Sequence, residues 1–186
     1  MVLLLLGDSQ VSRVWPNVRL DREILRDAIY FPVKSRDAIV TGYSAITASV
    51  NMVIVSFLTN VLVDSLEEDA NEASLNRLFI ELFTQADGLF NFCATFPAIR
   101  VFIAPPNVRL RPTWYSRLRP TVIRVLHHFL QTRPPNLQIL EDFSGDLEKD
   151  GIHYNIMAGV NYVKSLADQV IELVKTAPPD PMVKLV

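Results

Sequence analysis

The sequence predicts an α/β domain of three layers, in which helices cover both faces of a five-stranded parallel sheet. Short apolar runs rich in leucine or β-branched residues alternate with amphipathic stretches, and neither an internal repeat nor a long Gly/Ser linker interrupts them. The length of 186 residues suits one domain, which buries roughly 70% of its unfolded surface. These observations favour a single α/β/α unit.

Five apolar runs have the length and composition of buried strands. The first, "VLLLL", is apolar at every position, as expected of a parallel strand buried on both faces, and it ends at a Gly-Asp break. Right-handed crossovers between five parallel strands favour the flavodoxin-like order 2-1-3-4-5. The predicted strands are Val2–Leu6, Ala28–Val33, Met52–Phe57, Arg100–Ala104 and Leu137–Leu140.

Three stretches carry apolar residues at helical spacing. Residues 71–90 and 121–132 repeat them every three or four positions, and the stripe from Ile156 to Val174 is the clearest. The last helix must end before the prolines of "TAPPDP". We therefore expect the domain to span residues 1–177, and residues 178–186 to form a flexible tail or the start of a linker.

Several classes of protein are disfavoured by composition. Cys93 is the only cysteine, so no intrachain disulfide can form, and an intracellular, cytoplasmic setting is favoured. The start "MVLLLL" lacks the basic flank and length of a signal sequence, and no run approaches a membrane span. Since phosphate-binding glycine motifs and metal-ligand spacings are absent, we expect no cofactor and no metal. The adjacent His127 and His128 predict one packed and one exposed side chain.

Polar side chains follow three of the predicted strands at their carboxyl ends, where ligands bind in such sheets. Ser9 follows the first strand, Asn60 the third, and Asp150 and His153 lie in the loop after the fifth. A serine hydroxyl becomes a strong nucleophile when a histidine takes its proton and a carboxylate orients that histidine. The Ser9 backbone N–H and the Asn60 amide are candidate donors to an oxyanion.

Each of these residues also has a structural interpretation. Ser9 could cap the helix that follows it, and Asp150 and His153 could be solvated loop residues. When each residue is considered alone, the structural interpretation is more common than the catalytic one. Their joint placement at the same edge of the sheet favours a catalytic role.

The same residues resemble the motifs of the SGNH (GDSL) hydrolase family. "GDSQ" is similar to its first block, Asn60 to the asparagine of its third, and "DGIH" to the Asp-x-x-His of its last, with Gly159 in the helix that follows. This resemblance runs from the first strand to the last helix. It implies the SGNH hydrolase fold and a serine esterase without a metal, with Ser9 as nucleophile, His153 as base and Asp150 as its orienting carboxylate.

The chain departs from these motifs in the oxyanion hole. The third block usually carries a glycine before the asparagine, whereas residues 58–61 read "LTNV". At the expected place of the second-block glycine, after strand two, stands Ser35, whose backbone N–H is a chemically acceptable donor. Gly42 is the other candidate. The predicted oxyanion hole is therefore Ser9, Asn60 and either Ser35 or Gly42.

A basic segment without acidic residues lies in the second half of the chain. No Asp or Glu falls between Asp87 and Glu141, while seven arginines lie within residues 100–133. This asymmetry predicts an anionic ligand or surface, although a merely solvated loop is an equal alternative. Arginine forks bind anions and aromatic faces stack on rings. The candidate substrate- or anion-binding residues are Arg109, Arg111, Trp114 and Tyr115.

Two functions from different classes follow. The first is an esterase that hydrolyses small, acetyl-like acyl esters, with the arginines steering an anionic substrate. The second is a nucleic-acid-binding or protein-interaction module on the same scaffold with little or no hydrolase activity. The family resemblance also covers esterase-like domains within retrotransposon reading frames, where both duties occur in one polypeptide. The complete Ser-His-Asp set ranks the esterase first.

Overall fold

A parallel sheet organises the chain in the computed structural model, which describes residues 2–18, 23–33, 46, 49–56, 58–65 and 72–176. The predicted strand order is confirmed, since the five strands lie in the order β2-β1-β3-β4-β5 and all pairings are parallel. Every strand boundary lies within two residues of its prediction. The strands are β1 (Val2–Gly7), β2 (Ile29–Pro32), β3 (Val50–Ser56), β4 (Arg100–Ile103) and β5 (Leu137–Ile139).

Helices cover both faces of this sheet. The apolar residues of α1 and α6 pack on one face, and those of α3, α4 and α5 pack on the other. No helix within the described residues combines the length and apolar character needed to cross a membrane. The helices are α1 (Ser9–Val18), α2 (Glu23–Arg26), α3 (Leu58–Ser65), α4 (Glu72–Thr95), α5 (Thr113–Phe129) and α6 (Ile156–Thr176), with a 3₁₀ turn at Leu130–Thr132.

The predicted helices are present, but two differ in extent. Helix α4 continues to Thr95, beyond the predicted 71–90. Helix α5 begins at Thr113, eight residues before the predicted start at 121, so Trp114 and Tyr115 lie in a helix and not in a loop. The predicted tail, residues 178–186, lies outside the described residues.

The leucine run of β1 is explained by burial on both faces of the sheet. Side chains alternate along a strand, so Leu3 and Leu5 pack with α1 and α6, while Leu4 and Leu6 pack with the helices of the opposite face. None of these four side chains is more than 2% exposed. A polar residue at any of the four positions would therefore be buried in one of the two cores.

Two glycines allow α1 to lie close to the elements around it. A Cβ on Gly7 would lie 2.8 Å from the Cβ of Val11, and a Cβ on Gly159 would lie 2.9 Å from a methyl group of Val14. Real side chains do not approach so closely, so a larger residue at either position would displace α1. The glycines therefore help to set the position of Ser9, the first residue of that helix.

Candidate active site

Ser9 begins α1 at the carboxyl end of β1, and the preceding residue caps the helix. The Asp8 backbone N–H donates to the Ser56 carbonyl at 3.0 Å, and the Asp8 Oδ1 accepts from the Gln10 backbone N–H at 2.9 Å. The first helical bond, from Ser12 N, also ends on the Asp8 carbonyl. Since Asp8 occupies the capping position and the Ser9 side chain is exposed, Ser9 is not the residue that caps α1.

Asp150 and His153 form a bonded pair in the loop before α6. The Nδ1 of His153 lies 2.8 Å from the Asp150 Oδ2, and the Asp150 Oδ1 accepts from the backbone N–H groups of Ile152 and His153 at 2.8 and 3.0 Å. The hydrogen bond to the His153 ring, followed by these two backbone bonds, holds the pKa of the Asp150 carboxyl well below its ordinary value. A carboxylate can only accept, so Nδ1 carries the proton of this bond, and in a neutral imidazole Nε2 is then the nitrogen that accepts a proton.

Backbone hydrogen bonds close the loop that carries this pair. The Glu148 N–H donates to the His153 carbonyl at 2.7 Å, and Leu147 and Tyr154 form an antiparallel bridge. Gly151 lies between Asp150 and His153 in the chain and has a φ of 66°, a conformation that favours glycine. The positions of Asp150 and His153 are therefore set by a tight turn.

Gln10 connects this loop to the helix of Ser9. Its side-chain Nε2 donates to the Ile152 carbonyl at 2.9 Å, and its Oε1 accepts from the Tyr154 N–H at 3.0 Å. The residue next to Ser9 is thus bonded to both neighbours of His153. Gln10 could not be identified from the sequence, because nothing local marks its contacts with partners that lie 142 and 144 positions further along the chain.

Asn60 lies in the first turn of α3, with its side chain partly buried. The preceding residue fixes this turn, since the Thr59 Oγ1 accepts from the Asn107 backbone N–H at 2.8 Å. Helix α3 is thereby joined to the segment after β4, at the same edge of the sheet as Ser9. The other predicted oxyanion donors, Ser35 and Gly42, lie outside the described residues.

A buried polar cluster, which we define as Asp8, Thr59, Asn107, Arg109 and Tyr115, lies beneath this edge. The Asn107 Nδ2 donates to the Asp8 Oδ2 at 3.3 Å, and the Tyr115 hydroxyl donates to the Asn107 carbonyl at 2.6 Å. Burial raises the pKa of Asp8 to about 6, against the opposing effects of the Gln10 N–H and the Arg109 charge. Asn107 was also missed, although its place after β4 was a signal.

The structure separates the four residues predicted to bind a substrate or anion. Tyr115 is fully buried in the core, so its ring is not available to a ligand, and this prediction is corrected. Trp114 packs against the same core, and Arg109 is only 7% exposed. Of the four, Arg111 alone has an exposed side chain, and its backbone N–H donates to the Gly151 carbonyl at 3.2 Å.

Two other arginines of residues 100–133 are bound to groups away from Arg111. Arg100 lies at the start of β4, the opposite end of the sheet, and donates to the Leu173 carbonyl at 2.9 Å. Arg119 donates to the Pro106 carbonyl at 2.7 Å and pairs with Asp142, an acidic residue outside the acid-free segment. Arg100 and Arg119 therefore have structural roles of their own.

The remaining predictions concern metals and histidines. His127 and His128 are both exposed, which corrects the expectation that one is packed; both lie in the last turn of α5, at the helix surface. Among the described residues, no group of three or more His, Cys, Asp or Glu side chains is arranged to hold a metal ion.

Several solved structures share this fold over nearly the whole length of the chain. A lipase/acylhydrolase from Enterococcus faecalis is 15% identical with a TM-score of 0.62, covering 96% of this chain and 98% of its own. A GDSL-like lipase from Bacteroides thetaiotaomicron is 14% identical with a TM-score of 0.61, covering 93% and 88%. Est24, a carbohydrate acetylesterase from Sinorhizobium meliloti, is 17% identical with a TM-score of 0.54, covering 92% and 99%.

No family model and no curated protein matches the sequence. The likeness is therefore one of architecture. The strand order, the share of the chain that is covered and the names of the similar structures agree with one another. The chain has the SGNH hydrolase fold.

Proposed function

We propose that this protein is a serine ester hydrolase in which Ser9, His153 and Asp150 form a catalytic triad. One observation carries the proposal: the bonded Asp150–His153 pair lies in a loop that is hydrogen-bonded to the residue beside Ser9. The esterases and acylhydrolases among structures of the same fold support the reaction class.

The first half of the reaction acylates Ser9. The Ser9 Oγ attacks the carbonyl carbon of the ester while its proton passes to the Nε2 of His153, and Asp150 stabilises the resulting imidazolium. When the tetrahedral intermediate collapses, the bond to the alcohol oxygen breaks and His153 returns the proton to that oxygen. The alcohol leaves, and the acyl group remains on Ser9.

The second half releases the acid. A water molecule gives a proton to His153 and attacks the acyl carbon, and the Ser9 Oγ leaves and regains the proton. In both halves negative charge develops on the carbonyl oxygen. The Ser9 backbone N–H, the Asn60 amide and a backbone N–H from Ser35 or Gly42 would donate to it, which is the electrostatic contribution that usually matters most.

We propose a small, acetyl-like acyl ester as the substrate, with an anionic group held by Arg111. An acetylesterase of the same fold supports the small acyl group. Arg111 supports the anionic group, because its backbone is bonded to Gly151, inside the loop of the proposed triad, while its side chain remains exposed. A guanidinium there can pair with a carboxylate or phosphate.

Hydrolysis of p-nitrophenyl acetate tests the proposed nucleophile. Ser9→Ala should lower the rate by roughly 10³-fold or more, because the remaining groups can activate no other nucleophile of comparable efficiency. Ser12→Ala is the matched control, since Ser12 lies in the same helix, is also exposed and bonds to the Tyr30 hydroxyl. Equal rates for wild type and Ser9→Ala would exclude the proposed function.

A further inference from the structure

The Gln10 side chain uses both of its polar ends on one loop. Its NH₂ group reaches the carbonyl before His153 and its oxygen reaches the N–H after it, at 2.9 and 3.0 Å. The two bonds thus bracket the imidazole-bearing residue on either side. Glutamine is suited to this, because among side chains of its length it carries a donor and an acceptor on one planar group.

The two hydrogen bonds of Gln10 are buried, which increases the free energy lost when either is broken. Gln10 is only 2% exposed, and Tyr154 is 3% exposed. Breaking either bond would leave a buried polar group without a partner, which is unfavourable. The loop is therefore held against α1 more firmly than an exposed contact would hold it.

We propose that Gln10 is a positioning residue for the reaction, which fixes His153 relative to Ser9 by holding the backbone on both sides of the imidazole. This inference rests on the proposed function. Ser9 and Gln10 are adjacent in the first turn of α1. A bond from Gln10 to the loop therefore fixes the position of His153 relative to the proposed nucleophile. Misplacement of a reacting group by about 1 Å can cost 10²-fold in rate.

A second contact joins the same two elements and provides the matched control. Arg13, three residues after Gln10 on α1, pairs with Glu148 at 3.1 Å, but both side chains are more than a third exposed. Exposed ion pairs contribute little to the stability of a fold. We therefore expect Arg13→Met to alter the rate less than about twofold.

Kinetics separate positioning from general stability. Gln10→Met should lower kcat roughly 10- to 100-fold with KM changed less than about twofold, because the substrate still binds while the base is displaced. Gln10→Glu is the second variant: its carboxylate can still accept from Tyr154 but cannot donate to Ile152, so its rate should also fall. If Gln10 acts through His153, Gln10→Met should cause no further loss in a His153→Ala background. An equal loss in both backgrounds, or an unchanged kcat, would overturn the proposal.

Amide hydrogen exchange tests the same contact without relying on activity. The Tyr154 amide should exchange at least about tenfold faster in Gln10→Met than in wild type, whereas Arg13→Met should leave it unchanged. Unchanged exchange in Gln10→Met would overturn the proposal. If wild type shows no Ser9-dependent turnover, the proposed function fails and the catalytic part of this inference fails with it. The exchange result then still decides separately whether Gln10 holds the loop.

Discussion

Asp8 and Asp150 lie at the same edge of the sheet, and their surroundings shift their pKa values in opposite directions. Asp8 is 2% exposed, and burial raises its pKa to about 6. Asp150 is exposed, and its hydrogen bonds to His153 and Ile152 hold its pKa below its ordinary value. One carboxyl group is therefore made easy to protonate and the other hard to protonate.

The difference in pKa matches a structural role for Asp8 and a proposed catalytic role for Asp150. Asp8 caps α1 and receives a hydrogen bond from Asn107, so its role is to hold the turn ahead of Ser9. Asp150 keeps its negative charge across the pH range of ordinary assays, which an orienting carboxylate must do if it is to hold His153 in one tautomer. The order Gly-Asp-Ser thus places a structural aspartate beside the proposed nucleophile.

The largest expected effect is that of Asp150→Asn. An amide in place of the carboxylate can donate to Nδ1 and so favour the wrong tautomer of His153, and kcat should fall roughly 10³- to 10⁴-fold. Steady-state hydrolysis of p-nitrophenyl acetate measures this effect. Asp146→Asn, an exposed aspartate of the same loop, is the control and should retain the wild-type rate. A variant of Asp150 as active as that control would remove Asp150 from the mechanism.

Asp8→Asn should change stability in a pH-dependent way. The folded pKa of Asp8, about 6, lies above the ordinary value of 3.8, so between these pH values the folded state binds more protons than the unfolded state. Stability should fall as pH rises through this window, and above pH 6 the full cost, on the order of 3 kcal/mol, is present. Asparagine removes this titration and can still accept from the Gln10 N–H.

Urea unfolding at pH 4 and pH 7 measures that prediction. Between pH 4 and pH 7, wild type should lose about 2 kcal/mol of unfolding free energy through the titration of Asp8, and Asp8→Asn should lack this loss. Asp27→Asn, at an exposed position, should follow wild type. If Asp8→Asn and wild type show the same pH dependence, Asp8 does not titrate as its burial implies.

The smallest expected effect concerns Arg111. With an ester that carries a carboxylate, Arg111→Gln should lower kcat/KM by about tenfold, and with a neutral ester of the same acyl group it should have little effect. The difference should shrink at high salt, because an exposed charge is screened. Arg117→Gln, at an exposed position on α5, is the control. Equal losses on both esters would show that Arg111 does not recognise an anion.

The fold could be predicted because burial on both faces leaves a plain pattern. The run Leu3–Leu6 and its counterpart Val53–Val55 are apolar without interruption, and such runs define strands whatever their neighbours are. The start of α5 was missed, and two prolines near it, Pro112 and Pro120, are residues that ordinarily disfavour a helix. Pro112 instead precedes the first helical residue, where a missing N–H costs nothing, and Pro120 is accommodated within the helix.

The site was only partly predictable, for a related reason. Ser9, Asn60, Asp150 and His153 could be chosen because each follows a strand end, which is a local feature. Gln10 could not be chosen, since its partners lie more than 140 positions away. The roles of the arginines could not be assigned from the sequence for the same reason, because whether an arginine faces solvent or bonds to a carbonyl, as Arg100 does, depends on tertiary contacts.

Reaction with a fluorophosphonate probe, followed by peptide mass spectrometry, is the sharpest test of Ser9 as nucleophile, because the probe reports an activated serine whatever the natural ester is. The proposed triad predicts a single label on the peptide containing Ser9, absent from Ser9→Ala and slowed at least about 10²-fold in His153→Ala. Failure of the wild-type protein to react at Ser9, or equal labelling of wild type and His153→Ala, would contradict it.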